Sequence, residues 1–388
     1  MTAPTMAGRI LDPRRLPALL GLVLLLAAGC TTAAIRPPRA DGVFKGRQVF
    51  TIAWRSELVT HEILDWKPQE FASPITDGQV IYVGASNGLF YAIEERRGRV
   101  LWRYKTGGVI DGRALYVPEQ NSVYFGGGDG NLYALDAATG KLHWKYRPKG
   151  LVKRQPVHFA GRVYFMTDED RVYALEAATG KWLWQYEREQ PDAFTIHGNA
   201  GVALYAGRLY AGFSDGYLVA LDQKSGEVAW SRSLAAVSDQ YVDVDSTPTV
   251  HRGVLYASSY SGGLYAMSPR DGTVYWRFDV VGAGTVRVAG DQLYFAAPQL
   301  GLHVLDLKGR LVWRQGVGKG GTLTPPLIVG QYLVFAGSDG GLYIVDRENG
   351  SLLQYFSPGR GISSEPTLSG RDLVLLSNGG YLYRMRLR

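Results

Sequence analysis

From Arg47 to Arg388 the chain alternates short apolar runs with turn residues. The runs are four to six residues long, rich in Val, Tyr, Phe and Leu, and broken by Asn-Gly, Asp-Gly or Gly-Gly. Ser86-Asn87-Gly88, Asp129-Gly130, Ser214-Asp215-Gly216, Ser338-Asp339-Gly340 and Ser377-Asn378-Gly379 are examples. Such turns need positive φ, which Gly and Asn adopt at low cost, so the pattern predicts hairpins. Both faces of a run are apolar, as in Leu132/Ala134 and Tyr133/Leu135. A sheet with one wet face would alternate, so these strands are expected to be covered on both sides.

The runs recur as a unit, with its cleanest copy at Gly130–Trp144. A first short strand is often led by Pro, as at Pro74, Pro156, Pro248, Pro326 and Pro366. A second strand, a hairpin and a third strand follow. A Thr-Gly or equivalent turn then leads to a fourth strand carrying Trp. Four antiparallel strands in roughly 40–45 residues describe one propeller blade. Trp lies four residues after the turn Gly in six units, at Trp102, Trp144, Trp184, Trp230, Trp276 and Trp313. At that place it can cover the neighbouring sheet and bond its backbone. The seventh unit has Gln354 there, so that docking contact is expected to be lost. The eighth unit ends at Arg388 without a fourth strand, and Val49–Trp54 supplies a spare one. The prediction is an all-β, eight-bladed β-propeller of four-stranded antiparallel blades, closed by an N-terminal strand that pairs with the last blade. Closure removes a strand edge that would invite aggregation, and Trp54 becomes the seventh docking Trp.

The front of the chain reads differently. Arg9, Arg14 and Arg15 precede an apolar run from Leu16 to Ala28, too short to span a membrane and ending in small residues. Residues 1–29 are therefore expected to be a signal peptide. Ala27-Ala28-Gly29-Cys30 resembles the bacterial lipobox, with Leu26 one place earlier than usual. The resemblance implies cleavage before Cys30 and acylation of that residue, palmitate included. Cys30 is the only cysteine, so no internal disulfide can form and acylation removes a lone thiol. More than one acyl chain anchors stably. By resemblance to enteric lipoproteins, Thr31 in place of Asp implies sorting to the outer membrane. Residues 30–46, with Pro37-Pro38 and no periodicity, read as a lipidated tether, and residues 47–388 as the propeller. Losing the signal peptide lowers the formal charge from +7 to +5, because three Arg and one Asp leave with it. No Lys/Arg-rich run occurs, so nucleic acid is not an expected partner.

Ala134–Trp144 is similar to the tryptophan-docking motif of quinoprotein propellers, Ala-x-Asp-x-x-Thr-Gly-x-x-x-Trp, nearly repeated at Ala174–Trp184. That superfamily holds pyrroloquinoline-quinone (PQQ) alcohol dehydrogenases and a non-catalytic branch. Asp243-Val244-Asp245-Ser246-Thr247-Pro248 resembles the Asp-Val-Asp-Thr-Thr-Pro of the BamB family, lipoproteins of the outer-membrane β-barrel assembly machinery. Leu323–Gln354 and Glu365–Tyr383 also follow that family. The resemblance implies a surface for a periplasmic POTRA domain of BamA, built from Asp243, Asp245 and the segment holding Phe194, Ile196 and His197. His197 replaces the family's Arg. It further implies a non-catalytic, cofactor-free scaffold on the periplasmic face of the outer membrane, assisting nascent barrel proteins. Independently, the connections 185–206 and 231–252 are long and lie in successive blades, where equivalent loops emerge on one face.

Other chemistry is weaker. Gly84-Ala85-Ser86-Asn87-Gly88 fits the hydrolase elbow, but a strand follows where that motif needs a helix. Gly316–Gly321 lacks phosphate-loop spacing and reads as a connection into the next blade. The six histidines show no metal-ligand spacing, and Asp243 with Asp245 lacks a full calcium loop, so no metal is expected. Asp168-Glu169-Asp170 reads as a solvated turn. Active PQQ dehydrogenases usually carry adjacent cysteines, which this chain cannot supply. A PQQ-dependent enzyme, and a propeller lipoprotein serving another envelope-assembly or adhesion task, are the alternatives.

Overall fold

The computed structural model describes residues 43–61, 68–190, 200–235, 241–298, 300–317 and 321–388. These residues form seven four-stranded sheets and one five-stranded sheet, all antiparallel. Blade one begins at Ile75–Thr76 and ends with the outer strand Arg99–Lys105. Blades two to seven end in Leu142–Tyr146, Trp182–Glu187, Val228–Ser233, Val274–Phe278, Leu311–Gln315 and Leu352–Ser357. In blade eight, Phe50–Glu57 is the outer strand against Tyr381–Leu387, with Phe50 opposite Leu387 and Trp54 opposite Arg384. The innermost strand of blade eight, Thr367–Ser369, lies beside that of blade one, so the ring is closed. The expected eight-bladed propeller, closed from its N-terminal side, is what the chain forms.

Burial follows position within a blade. The second and third strands are dry on both faces, as in Ser122–Gly126 and Leu132–Asp136. The outer strands sit at the rim and alternate, with Leu142 and Trp144 facing different surroundings. The apolar cores are the interfaces between blades: Tyr124, Leu132 and Ala134 of blade two pack with Val163, Phe165 and Tyr173 of blade three.

Each docking Trp is aimed by a bulge. The register slips one residue just before it, so that Leu135 pairs with Leu142 but Ala134 pairs with Trp144. The same slip precedes Trp102, Trp184, Trp230, Trp276 and Trp313. A bulge adds local twist and re-aims the side chain. Each indole then reaches the next blade. Trp102 Nε1 donates to Ala137 O at 3.0 Å and Trp144 Nε1 to Ala177 O at 2.9 Å. Trp184, Trp230 and Trp276 do likewise to Gln223, Pro269 and Leu307. Trp313 is the exception, with a buried Nε1 that finds no acceptor. The turn Gly is needed twice over. Gly140 has φ +70°, and a Cβ on it would stand 2.5 Å from the Trp102 ring. In blades one to four a Tyr hydroxyl donates to the same carbonyl, from Tyr82, Tyr124, Tyr164 and Tyr210. One acceptor with two lone pairs thus serves two donors.

The expected loss of docking at Gln354 does not occur. Gln354 is fully buried; its Oε1 accepts from Val49 N and Phe50 N, each at 2.7 Å, and its Nε2 donates to Phe50 O at 2.8 Å. An amide carries both donor and acceptor, so it can hold the backbone of the incoming closing strand where an indole can only donate. Val43–Gly46, in the stretch read as tether, forms a fifth strand on blade seven, with Phe44 beside Phe356 at 4.8 Å. Residues 1–42, with Cys30 among them, lie outside the described residues.

Candidate partner-binding surface

Among the described residues, a segment leaving an outer strand crosses the hairpin turns of two blades, as after Arg99–Lys105, where Ile110 N donates to Ala85 O and Gly128 N to Val109 O. After Val228–Ser233 of blade four, Leu234 N donates to Gly216 O and Val244 N to Phe213 O. On the blade-five side, Tyr260 N donates to Asp243 O, Ser261 N to Tyr241 O, and Ser259 Oγ to Val242 O. The motif is therefore sutured between two turns. Val244 is its peg, buried with Tyr210, Leu218 and Leu255. Gly212 receives the peg, since a Cβ there would stand 2.3 Å from Val244 O. Ile110 over Gly84 and Val152 over Gly126 repeat the device, which explains a Gly at the end of several second strands.

The two acids of the motif part company. Asp243 is fully buried, so its carboxylate is not at the surface. Asp245 keeps some exposure. Burial pushes its carboxyl up to about 6, against the Arg154 guanidinium that favours the charge, with Asp243 adding a further upward push. Phe194, Ile196 and His197 lie outside the described residues, which stop at Gln190 and resume at Ala200.

What the structure adds is the base from which that loop departs. Arg188 N donates to Asp170 O, and its guanidinium bonds Asp215, with Nε to Oδ2 at 2.6 Å. It also lies over the Tyr217 ring at 4.4 Å. Burial opposes its charge, but the bonds to Asp215 and Tyr186 outweigh that and raise its pKa. Gln190 Nε2 donates to Asp168 O at 3.0 Å. Arg188 thereby clamps the end of blade three to blade four. The sequence gives no sign of this clamp, because the partner Asp215 lies in the next blade.

Asp168-Glu169-Asp170 is not the solvated turn expected. Asp170 is buried and accepts from the Ser214 backbone N and hydroxyl of blade four. Burial raises its pKa, the Ser214 bonds lower it, and Asp215 and Asp243 raise it further. Asp168 Oδ1 accepts from Leu151 N at 2.7 Å, and its other oxygen lies 2.9 Å from Lys153 Nζ. The turns are short, and neighbouring blades crowd the carboxylates into backbone donors. Acids of blades three to five thus gather beneath one face.

Ser86 sits in the hairpin between Val80–Gly84 and Leu89–Glu94. Its hydroxyl donates to Glu70, which holds the turn as Asp170 holds Ser214. No group of three or more His, Cys, Asp or Glu among the described residues is placed to hold a metal ion.

Bulged outer strands, docked indoles and a closure by the front of the chain define a quinoprotein-type β-propeller. The chain belongs to the family described as outer membrane protein assembly factor BamB, whose model matches residues 92–269 and 262–383. Among solved structures, BamB from Moraxella catarrhalis is 23% identical, with a TM-score of 0.74 over 87% of this chain and 100% of that one. Quinohemoprotein alcohol dehydrogenases share the fold as well. The Pseudomonas putida enzyme is 14% identical and that of Comamonas testosteroni 15%; each has a TM-score of 0.68 over 87% of this chain and 76% of that one. No curated protein sequence matches the chain.

Proposed function

We propose that this protein is a non-catalytic scaffold of the outer-membrane β-barrel assembly machinery. It is lipidated at Cys30, faces the periplasm, and binds a POTRA domain of a BamA homologue while barrel proteins are inserted. The family membership supports the machinery. The observation that carries the site is Asp245, an acid kept where burial opposes its charge, two residues from Thr247, whose hydroxyl accepts from Gly201 N where the 185–206 loop returns. Strained ionisable groups of this kind concentrate at functional sites. Asp245, Phe194, Ile196 and His197 form the contact, and the buried Asp243 fixes the loop from beneath. A partner with a basic patch gains an ion pair there, and its binding offsets the penalty on Asp245. Unfolded barrel segments add as strands to the exposed rims of the blades.

Asp245→Lys tests this reading, since a Lys at buried Asp243 would disturb the fold instead. Co-purification with the BamA homologue is expected to be lost while thermal unfolding remains cooperative. Undiminished co-purification would refute the site.

A further inference from the structure

The seam between blade eight and blade one departs from the others. Across blades one to five, a Tyr on the second strand stands against the docking Trp, as Tyr82 does against Trp102 at 6.1 Å. That Tyr pairs with an Ala of the third strand, which pairs with the Trp. In blade eight the register puts Val374 in place of the Tyr and Arg384 in place of the Ala. A ring is lost and a cation gained. Arg384 Nη1 donates to Glu95 O at 3.2 Å, the carbonyl that also takes Trp54 Nε1, so it stands in for the missing hydroxyl. Its charge is answered by Asp372 at 2.9 Å and Glu95 at 3.4 Å, while its Nε is buried without an acceptor.

A cleft of about 780 Å³ opens at this seam, lined by Arg96, Arg99, Arg384 and Arg386, with Val80 and Leu101 as an apolar ledge. Arg99 and Arg386 are mostly exposed, and their nearest carboxylates are at 3.4 Å and 3.9 Å. Four guanidiniums meet three carboxylates, Glu94 and Glu95 in the lining and Asp372 beside Arg384 and Arg386, which leaves a net positive charge. The volume falls within the span of small-molecule sites. Guanidinium forks match phosphate oxygens, and the ledge accommodates a short organic group beside them.

We infer that this cleft binds a phosphate-bearing anion, either a phosphorylated lipid headgroup or a soluble organophosphate. Arg96, Arg99 and Arg386 contact the phosphate, and Arg384 fixes the wall. The site lies at the ring's closure and is separate from the partner loops of blades three to five.

The purified full chain, in non-ionic detergent, is titrated with inorganic pyrophosphate and separately with dihexanoylphosphatidylglycerol. Saturable binding is expected for at least one. It should weaken roughly tenfold or more in Arg99→Ala/Arg386→Ala, with loss of charge-assisted bonds, and be unchanged in the charge control Arg310→Ala. Both substituted arginines are exposed, so thermal unfolding should stay as in the parent. Binding of the lipid alone assigns a headgroup, and binding of pyrophosphate alone a soluble ligand. Absence of saturable binding to either probe, or binding that the double variant retains, overturns the site.

Discussion

Trp54 donates its indole N–H to the carbonyl of Glu95 at 2.8 Å, and a Cβ on Gly98 would stand 2.7 Å from its ring. The contact reproduces that of Trp102 with Ala137 and Gly140, yet it joins the front of the chain, in blade eight, to blade one. Noncovalent closure therefore uses the same joint as the five covalently continuous seams that leave blades one to five.

Trp54→Ala should destabilise by about 2–4 kcal/mol, below the top of the range for a large core aromatic because Trp54 is only partly buried. Trp102→Ala should weaken the body by a similar amount, but only Trp54→Ala should also loosen the 50–57 strand. Urea unfolding gives the first quantity, and limited proteolysis near residue 57 the second. Equal resistance to proteolysis in both variants would count against the joint.

Gln354 is the seam where restoring the family residue should fail. Gln354→Leu leaves two backbone N–H groups and one C=O without their bonds, a loss on the order of 2–4 kcal/mol. Gln354→Trp should also destabilise, since an indole cannot accept from Val49 and Phe50. A gain of stability on introducing the Trp would show that the amide is dispensable.

Asp245 gives a signed pH dependence. Its folded pKa, about 6, lies above the unfolded value of about 4, so the folded state holds the proton more tightly. Its stabilising contribution is complete below pH about 4 and is lost as pH rises through about 6. Asp245→Asn should remove that loss, adding on the order of 2–3 kcal/mol at pH 7 and little at pH 4. Denaturant unfolding across that range is the measurement. A variant that weakens the protein at pH 7 would refute the assignment.

Glu365 of blade eight lies 3.1 Å from Arg287 of blade six and 3.5 Å from Arg113 of blade two, drawing three blades together at the axis. Burial depresses the Arg113 pKa, Glu365 restores it, and Arg287 depresses it again. Glu365→Gln leaves two guanidiniums facing each other and should destabilise by roughly 1–3 kcal/mol. High salt should shrink the difference by screening the exposed Arg287 more than the buried Arg113. An unchanged urea midpoint would place the cluster outside the stability of the ring.

The blades, their strands and the docking Trp were legible because the repeat writes them in one place each time. Closure was legible from Val49–Trp54 standing spare at one end and a strand missing at the other. The Tyr hydroxyl that shares the acceptor of Trp102, Trp144, Trp184 and Trp230 was not, because Tyr abounds in the strands and only the register shows which one meets the carbonyl. Gln354 misled for a related reason. A motif records the usual residue, while its replacement is explained by a backbone some 300 positions away in sequence. At the candidate site the sequence found the Asp-Val-Asp motif and the long loops. It could not tell a buried Asp243 from a partly exposed Asp245, since strand alternation breaks down where the segment crosses two turns. Asp170 and Arg188 were missed because their partners, Ser214 and Asp215, lie in the next blade.

Hydrogen exchange of the backbone amides in residues 50–57 of the intact chain tests the closure most directly. Those bonded to Tyr381–Leu387 should exchange as slowly as their counterparts in Leu142–Tyr146 of blade two, and in Trp54→Ala they should exchange faster while blade two is unchanged. Exchange at the rate of an unpaired segment in the unmodified protein would mean that the ring is not closed by this strand.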